Sequence, residues 1–381
     1  MNQVLGLLLL ISIGAIAIFT KRLLKSLAAA PRLALSLDIP SPFPSVSVVI
    51  PAYNEEINIA DCVQAVLASE LPPDAQLEVW VADDQSSDRT LAIAQSLSDP
   101  RLRVVPVPPR PQDQVWRGKN WACAEVSPLA KGDFLLFIDA DVRLEPQAIQ
   151  TAIAHAVQYQ TDLLSCAPEI VCGCLAEWLV QPIMMCVLAV GFDFAAVNNP
   201  QDPTAFAAGP FMLFRRPAYE QIGGHRAVAS QLVEDVELAR LIKGNGLKLN
   251  YLLALGIVKV RMYQSFLALW EGWTKNYFLG AQSNLGTTLF SALVMLLVFV
   301  VPWLGLAISL GQGWGYDLIW SWVALTLQYR LRILAANQFG QPLRYSYLSW
   351  VGGAVVAAIA ITSIIKTKTG WGWTWRGRPL Y

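Results

Sequence analysis

Carboxylates gather at three places in this sequence, each directly after an apolar run or at the start of a helical pattern. They are Asp83 with Asp84, Asp139 with Asp141, and Glu234 with Asp235. Two carboxylates at i and i+2 in a turn, without a His or Cys nearby, are typical of a site for a hard cation such as Mg²⁺ or Mn²⁺. Such a cation carries mostly water and substrate phosphate oxygens. The spacing therefore predicts metal-assisted chemistry on a phosphate-bearing substrate.

Each of these residue types also has a structural alternative. Acidic residues in the first turn of a helix, as at Glu234 and Asp235, commonly only complement the helix dipole. Asn54 and Glu55 could simply cap the next helix, and Asp88 is expected to be a helix N-cap. A single edge that held all the carboxylates would nevertheless repel itself without a cation or hydrogen-bond donors, and this favours a binding site.

The elements that must position these residues lie between about residues 44 and 260, where short β-rich runs alternate with helical periods. This alternation predicts an α/β layer structure with a mostly parallel sheet flanked by helices. The predicted strands are 46–50, 77–81, 102–105 and 134–138, and the predicted helices are 57–68, 90–97, 120–129 and 146–159. Ligands of such folds bind beyond the carboxyl ends of the strands, which is where the carboxylates stand.

Four motifs follow one another in a fixed order over about 200 residues of this domain. They are Val48-Val49-Ile50-Pro51-Ala52-Tyr53-Asn54-Glu55, Asp83-Asp84-Gln85-Ser86-Ser87-Asp88, Asp139-Ala140-Asp141 and Glu234-Asp235. Together they resemble the family 2 glycosyltransferases, which are inverting enzymes. The resemblance implies a glycosyltransferase A-type α/β domain that binds a nucleoside-diphosphate sugar.

The resemblance also implies roles on the donor side of the site. Pro51, Tyr53 and Glu55 would line the nucleotide pocket, and Asp84 would accept a hydrogen bond from the base N3–H. Lys119 matches a Gly-Lys step of the family and would lie near the diphosphate. As a surface lysine at the start of a helix it would be disfavoured by the dipole, so a functional reason for it is expected.

By the same resemblance, the later carboxylates carry the reaction. Asp139 would support the nucleotide, Asp141 would hold the Mg²⁺ or Mn²⁺, and Asp235 would be the general base, with Glu234 as the second candidate. A cation and Lys119 would stabilise the leaving phosphate. One base acting on an acceptor hydroxyl opposite the leaving group implies inversion at the sugar.

Finer features resemble a membrane-bound, lipid-directed branch that includes carotenoid and hopanoid-associated glycosyltransferases and, more distantly, ceramide glucosyltransferases. They are the runs at 118–122, 197–200, 207–210, 214–217, 223–226 and 375–381. This branch implies a lipid hydroxyl as acceptor. His225 and Arg226 either approach the acceptor or only shape a loop, and Trp270 and Trp273 either line the mouth of the site or form an interfacial aromatic belt.

One departure from related enzymes limits the alternatives. Processive polysaccharide synthases and ceramide glucosyltransferases carry a Gln- or Arg-x-x-Arg-Trp motif after the base, and the corresponding stretch here lacks the Arg-Trp pair. This argues against a polymer synthase. A catalytically silent membrane scaffold is the third alternative, and the retained carboxylates argue against it. The donor nucleotide and the lipid remain open.

The composition places the chain in a membrane. It has 381 residues, of which 55% are hydrophobic and only 15% charged. Its net charge is zero and no basic stripe interrupts the balance, which argues against a nucleic-acid partner. Two distant histidines among six scattered cysteines argue against a zinc site.

Apolar runs at 4–20, 285–310 and 347–365 are the predicted membrane segments, and 316–327 is predicted to be a short re-entrant or interfacial piece. The resulting regions are an anchor (1–25), a catalytic domain (44–260), an interfacial segment (261–284), a carboxy-terminal membrane region (285–366) and a basic, aromatic tail (367–381). Lys21, Arg22 and Lys25 follow the first run, so the catalytic domain is predicted to be cytoplasmic. The apolar segment 174–194 is either a buried core helix or, as we favour, a helix lying on the bilayer.

Overall fold

The computed structural model describes residues 3–35, 38–111, 113–312, 315–375 and 378–379. The chain forms two compact units. One, the α/β unit, comprises Ala30–Val171 and Asp193–Arg261; the other, the helical unit, takes the remaining segments, including Cys172–Phe192. Arg376, Gly377, Leu380 and Tyr381 of the predicted tail lie outside the described residues.

The α/β unit contains one eight-stranded sheet in the order β3-β2-β1-β4-β7-β6-β8-β5. The strands are β1 Val46–Ala52, β2 Leu77–Asp83, β3 Leu102–Pro106, β4 Phe134–Phe137, β5 Val142–Leu144, β6 Leu163–Ile170, β7 Met212–Arg215 and β8 Leu249–Val260. The pairings β1–β2, β1–β4, β2–β3 and β6–β8 are parallel. The pairs β4–β7, β5–β8 and β6–β7 are antiparallel. The predicted α/β class with a mostly parallel sheet is confirmed.

Strand β1 explains where the site forms. Every residue of Val46–Ala52 except Pro51 is buried. Such a continuous apolar run is typical of a parallel strand covered on both faces. Because β1 lies between β2 and β4 and is parallel to both, the three strands end at the same edge of the sheet. All four predicted strands are present, and the loops after β1, β2 and β4 carry the predicted motifs.

The helices of this unit are α2 Ile59–Leu67, α3 Thr90–Ser96, α4 Gly118–Val126, α5 Ala148–Gln158, α7 Phe194–Asn198, α8 Arg216–Gln221, α9 Gly224–Ala227 and α10 Glu234–Gly244. The first four correspond to the predicted helices. Two of them matter for the site: α4 begins with Gly118 and Lys119, and α10 begins with Glu234 and Asp235.

The helical unit contains α1 Gln3–Ala28, α6 Leu175–Gly191, α11 Phe266–Gly280, α12 Leu285–Met295, α13 Val301–Gln312, α14 Tyr316–Phe339 and α15 Ser349–Thr369. A π-helical turn, Leu296–Val300, joins α12 to α13. Short strands β9 Thr374–Trp375 and β10 Arg378–Pro379 form a small antiparallel pair. Three helical stretches, Gln3–Ala28, Leu285–Gly311 and Ser346–Thr369, are long and apolar enough to cross a membrane. They coincide with the three predicted apolar runs.

Two sequence predictions need correction here. The segment 316–327 is not short, because it is the first half of α14, a helix of 24 residues. The helix continues through Arg332, whose side chain is buried in the helical unit, and ends at Phe339. The range 44–260 is also not one compact body. Cys172–Phe192 belongs to the helical unit, where a Cβ on Gly352 of α15 would lie only 2.1 Å from the Leu179 carbonyl oxygen of α6.

Candidate active site

The loops after β1 and β2 are joined by hydrogen bonds into one wall of the site. Asn54 and Gln85 have positive φ angles of 53° and 59°. The Asn54 N–H donates to Ser86 Oγ at 3.0 Å, and Asn54 Oδ1 accepts from the Ser87 N–H at 2.9 Å. Asp83 closes its own turn by accepting from the Ser86 N–H at 3.1 Å. Asp83 therefore shapes the loop.

The residues predicted to contact the nucleotide lie along this wall. Glu55 and Asp84 are 8% and 3% exposed, whereas Pro51 and Tyr53 are half-buried. Glu55 Oε2 accepts from Asn58 Nδ2 at 2.9 Å, and the Asp84 N–H donates to the Ala52 carbonyl at 2.8 Å. The structure thus gathers all four at the carboxyl ends of β1 and β2, and their contacts with a nucleotide stay a prediction.

Lys119 links two of the four predicted motifs. Its Nζ lies 2.6 Å from Asp139 Oδ1, after β4, and 2.8 Å from Glu234 Oε1, at the start of α10. Burial would lower the pKa of Lys119, but the two carboxylates outweigh it and hold that pKa well above its usual value. The ammonium is therefore charged, and Glu234 is engaged in an ion pair.

Asp235 is the neighbouring carboxylate and has different partners. Its Oδ2 accepts from the Gly209 N–H at 2.9 Å, and its Oδ1 accepts from the Val236 N–H at 2.8 Å. Burial, followed by the charge of Glu234, raises the pKa of Asp235 from 3.8 to about 6, against the opposing effect of Lys119. A carboxylate with a pKa near neutrality and a fixed orientation can act as a proton acceptor.

Two residues at the site were given no role from the sequence. A Cβ on Gly209 would lie 2.9 Å from Lys119 Nζ and 3.3 Å from Asp235 Oδ2, so a larger residue there would displace the Lys119 ammonium or the Asp235 carboxylate. Asn120 is fully buried, and its Nδ2 donates to the carbonyls of Val228 at 2.6 Å and Gln231 at 3.0 Å. Asn120 thereby holds the segment that leads into α10 against the start of α4. In the sequence, the only signal for Asn120 and Gly209 was that they lie within the runs at 118–122 and 207–210, which resemble the lipid-directed branch.

Residues 47–223 match the family described as "Glycosyl transferase family 2". The chain contains a family 2 glycosyltransferase domain and is a glycosyltransferase. The matched range includes the loops after β1, β2 and β4 together with Lys119 and Gly209. It ends before Glu234 and Asp235, whose roles therefore rest on the geometry above.

Individual relatives are consistent with this family. The chain is 28% identical over 269 residues to the 4,4'-diaponeurosporenoate glycosyltransferase of Staphylococcus haemolyticus (strain JCSC1435), covering 70% of each chain. The same protein of Staphylococcus aureus (strain USA300) is also 28% identical over 269 residues, which are 70% of this chain and 69% of that one. These matches confirm the predicted resemblance to carotenoid glycosyltransferases.

A solved structure shares the fold of the whole glycosyltransferase chain. It is the mannosyltransferase PcManGT from Pyrobaculum calidifontis, determined in complex with GDP-Man and Mn²⁺. The match covers 98% of this chain and 99% of that one, with a TM-score of 0.57 and 18% identity. At this identity the likeness supports the glycosyltransferase A-type fold and its accompanying helices.

Asp141 lies in the turn after β4, two residues beyond the carboxylate that binds Lys119. It is half-buried. Among the described residues, no group of three or more His, Cys, Asp or Glu side chains is arranged to hold a metal. A protein-only cage is therefore not part of the described site. Asp141 instead fits the manner in which Mg²⁺ or Mn²⁺ is held by one or two carboxylates, with water and substrate phosphates as the other ligands.

Two residues of the α/β unit, His225 and Arg226, were predicted as possible acceptor contacts. In the structure His225 is buried and Arg226 is exposed. His225 is only 1% exposed, its Nδ1 lies 2.8 Å from the Tyr219 hydroxyl, and its ring packs on Phe137. Burial, followed by the charge of Lys119, lowers the pKa of His225 to about 3, so the imidazole is neutral. The His225 ring is therefore part of the core, which favours the structural alternative for this residue. Arg226 is exposed and lies 3.5 Å from Glu125.

The two predicted tryptophans belong to the helical unit. Trp273 is 5% exposed and its Nε1 donates to Gln181 Oε1 of α6 at 3.0 Å. It therefore joins two helices of that unit and does not stand in an exposed aromatic belt. Trp270 is half-buried beside Phe266, with ring centroids 5.8 Å apart. Its role at a site mouth stays a prediction.

Proposed function

We propose that the protein transfers a sugar, with inversion, from a nucleoside-diphosphate sugar to a hydroxyl of a lipid at the cytoplasmic membrane face. The observation that carries this proposal is the pairing of Lys119 with Glu234, which leaves Asp235 as the base. Lys119 forms an ion pair with Glu234 at 2.8 Å, whereas Asp235 accepts hydrogen bonds from the Gly209 and Val236 N–H groups and has a pKa near 6. Glu234 and Asp235, although adjacent in the sequence, would thus have different roles: Glu234 in the ion pair and Asp235 as the base.

A hydroxyl acceptor explains why such a base is present. An alcohol is a poor nucleophile until its proton is removed, and a carboxylate whose pKa is close to the working pH removes it efficiently. The Gly209 and Val236 N–H groups fix the orientation of the Asp235 carboxylate. One base of this kind, with the leaving group on the opposite face of the sugar, supports a single displacement and hence inversion.

The leaving group is a nucleoside diphosphate, whose negative charge grows as the bond to the sugar breaks. Lys119 supplies a fixed positive charge at the edge where the diphosphate is expected. Asp141 would supply a carboxylate ligand for Mg²⁺ or Mn²⁺. When bound, the cation would neutralise charge on the phosphates.

The lipid acceptor and the membrane setting are supported by the relatives and by the helices. The Staphylococcus relatives are named as 4,4'-diaponeurosporenoate glycosyltransferases. Three helices of this chain are apolar and long enough to span a bilayer. The exposed Lys21, Arg22 and Lys25 at the end of α1 favour a cytoplasmic position for the residues that follow.

The proposal is tested by replacing Asp235 and, separately, Asp141 with Asn in the full-length protein. We expect transfer from the donor to fall by about 10²–10⁴-fold for Asp235→Asn, which is the usual contribution of a general base. The control is Glu237→Gln, because Glu237 lies on the same helix and pairs with Arg240 away from this network. Unchanged turnover in both Asn variants, with unchanged thermal unfolding, would contradict the proposal.

The acceptor is identified by comparing lipid extracts of a deletion strain and its parent by mass spectrometry. We expect the parent to contain a lipid with a single added sugar that the deletion strain lacks. A polymeric product would instead support a processive synthase, which the missing Arg-Trp pair argues against. Failure to bind any nucleotide sugar with Mg²⁺ or Mn²⁺ would support a silent scaffold.

A further inference from the structure

A buried serine holds the peptide unit that donates a hydrogen bond to Asp235. The Gly209 N–H, which lies 2.9 Å from Asp235 Oδ2, belongs to the same peptide unit as the Ala208 carbonyl. The hydroxyl of Ser165, on β6, donates to that carbonyl at 3.2 Å and accepts from the Ala208 N–H at 2.8 Å. Ser165 is fully buried. A single peptide unit therefore separates the serine from the carboxylate.

Ser165 lies where strand β7 leaves β6. The antiparallel pairing of the two strands ends with Ser165 opposite Met212. Pro210, two residues before Met212, has no N–H with which to continue the ladder. The chain turns here instead, and the Phe211 N–H donates to the Ala208 carbonyl at 3.2 Å. The Ser165 hydroxyl thus gives the Ala208 N–H the acceptor that a neighbouring strand would otherwise provide.

The loop that precedes Gly209 has a separate anchor on the helix that carries Asp235. Lys243, in the last turn of α10, donates from Nζ to four carbonyl oxygens at distances between 2.6 and 3.1 Å. These carbonyls belong to Ala196, Asn199, Asp202 and Thr204. Because Lys243 holds the loop, we expect variants of Ser165 to fold with the loop in place and to alter only the Gly209 donor.

The contacts form a chain of hydrogen bonds that ends on a charged group. The Ser165 hydroxyl donates to a peptide carbonyl, and the N–H of the same peptide, from Gly209, donates to Asp235. Donation to the carbonyl polarises the peptide and strengthens its N–H as a donor. A hydrogen bond to a carboxylate is in turn stronger than one between neutral groups. The serine can therefore act on both the orientation and the proton affinity of Asp235.

We propose that Ser165 is a positioning residue for the transfer reaction, because it fixes the Ala208–Gly209 peptide unit that orients the Asp235 carboxylate. This role rests on the proposed function of Asp235 as the base. Ser165 acts through Gly209 and not through contact with a substrate.

The proton affinity of Asp235 reports this contact. Burial, the largest effect, raises the pKa of Asp235 to about 6, and the hydrogen bond from the Gly209 N–H opposes that rise. A variant of Ser165 that weakens this hydrogen bond should therefore raise the pKa further. Such a variant leaves the surrounding charged and titratable groups unaltered, which include Glu234 on α10, Lys119 on α4 and Tyr251 on β8.

The experiment follows the protonation of Asp235 by infrared spectroscopy of the full-length protein in a neutral detergent, without any substrate. Each spectrum is compared with that of the same protein carrying Asp235→Asn, which isolates one carboxyl group. We expect a midpoint near pH 6 in the wild type. In Ser165→Ala the midpoint should be higher by about half a pH unit or more. Ser165→Cys, which keeps the volume but has a weak donor, should show a similar rise.

Ser47 on β1 provides the matched control. It is also a fully buried strand serine, and its hydroxyl accepts from the Gly132 N–H at 2.7 Å and donates to Glu78 Oε1. Ser47 lies near the amino end of β1, at the edge of the sheet opposite the site. Ser47→Ala should therefore lower the unfolding temperature without moving the Asp235 midpoint.

A second readout is the rate at which the missing glycolipid reappears when each variant is expressed in the deletion strain. We expect Ser165→Ala to form it about tenfold more slowly per molecule of protein than the wild type, because the base is less well oriented. Ser47→Ala should form it at the normal rate.

The wild-type midpoint in Ser165→Ala would overturn the proposal, as would an equal rise in Ser47→Ala or glycolipid formation by Ser165→Ala at the normal rate. The wild-type midpoint in Ser165→Cys would overturn it in favour of packing, and this variant decides the question if Ser165→Ala does not fold. These results leave the proposed glycosyl transfer standing. Normal glycolipid formation by Asp235→Asn would instead refute the proposed base, and the role of Ser165 would fall with it.

Discussion

Two partly buried cations in this molecule have opposite surroundings. The Lys119 side chain, in the α/β unit, is 28% exposed and pairs with Asp139 and Glu234 at 2.6 and 2.8 Å. Arg332, in the helical unit, is 4% exposed and has two buried nitrogens without a partner in the described chain. The charge of Lys119 is compensated within the chain by these two carboxylates. The charge of Arg332, by contrast, has no hydrogen-bonded counter-charge at these two nitrogens in the described chain.

The largest expected effect comes from removing the compensated charge. Lys119→Met should lower turnover by about 10²–10³-fold. The substitution removes the fixed positive charge that would stabilise the negative charge growing on the leaving diphosphate. Steady-state transfer from the nucleotide sugar measures this. Lys131→Met, at an exposed lysine, is the control and should keep normal turnover. If Lys119→Met kept more than half of the activity, the lysine would be structural and the comparison would lose its functional meaning.

The next effect tests whether the paired site is rigid. Gly209→Ala places a methyl group 2.9 Å from Lys119 Nζ and 3.3 Å from Asp235 Oδ2, so one of these groups must move. We expect kcat to fall by about 10–100-fold, since small displacements of catalytic groups are costly. Gly244→Ala, where a Cβ meets nothing within 4 Å, is the matched control. Similar activity in the two variants would show that the site tolerates the displacement.

A third test compares the two cations by stability. Replacing Lys119 with Met leaves Asp139 and Glu234 close together, and we expect the free energy of unfolding to fall by about 1–3 kcal/mol, less than for a fully buried pair because the site is partly exposed. Replacing Arg332 with Met removes an uncompensated charge and should leave stability unchanged or higher in neutral detergent. Denaturant or thermal unfolding of both variants measures this. Destabilisation of Arg332→Met would mean that the chain itself compensates Arg332.

Much of the site was predictable because parallel strands have a fixed geometry. The sequence predicted that Asp84, Asp139 and the residues after β1 share one edge, and β1 does lie between β2 and β4. It could not predict the hydrogen bond from Gly209 to Asp235, because a backbone N–H has no residue-type signature. It also could not place His225, whose burial depends on packing against Phe137, a residue far away in sequence.

The helical unit was harder to predict from the sequence, again because burial depends on packing between distant residues. Composition predicted its three apolar spans, but the apolar run 316–327 stops before Arg330 and Arg332, whereas α14 continues to Phe339. The face of a helix that a charged residue occupies depends on its neighbours. Here Arg332 is buried whereas Arg330, two positions earlier, is exposed. Sequence hydropathy assigns both the same cost and cannot separate them.

The smallest expected effect, and the one that best separates Glu234 from Asp235, is a change in pH dependence. Asp235 must be ionised to accept a proton, so turnover should rise with pH to a half-maximum near its pKa of about 6. Glu234 raises that pKa and Lys119 lowers it. Glu234→Gln should therefore move the half-maximum to lower pH, and Lys119→Met, in its residual activity, should move it to higher pH.

These shifts are read from kcat/KM as a function of pH between about 4.5 and 8 in each variant, since kcat/KM reports groups in the free enzyme. Asp235→Asn is the reference, because the limb near pH 6 should be missing from whatever activity remains. If Glu234 were the base instead, Glu234→Gln would remove the limb and Asp235→Asn would keep it. Opposite shifts in the Glu234 and Lys119 variants would show that a single network, compensated within the chain, sets the proton affinity of Asp235.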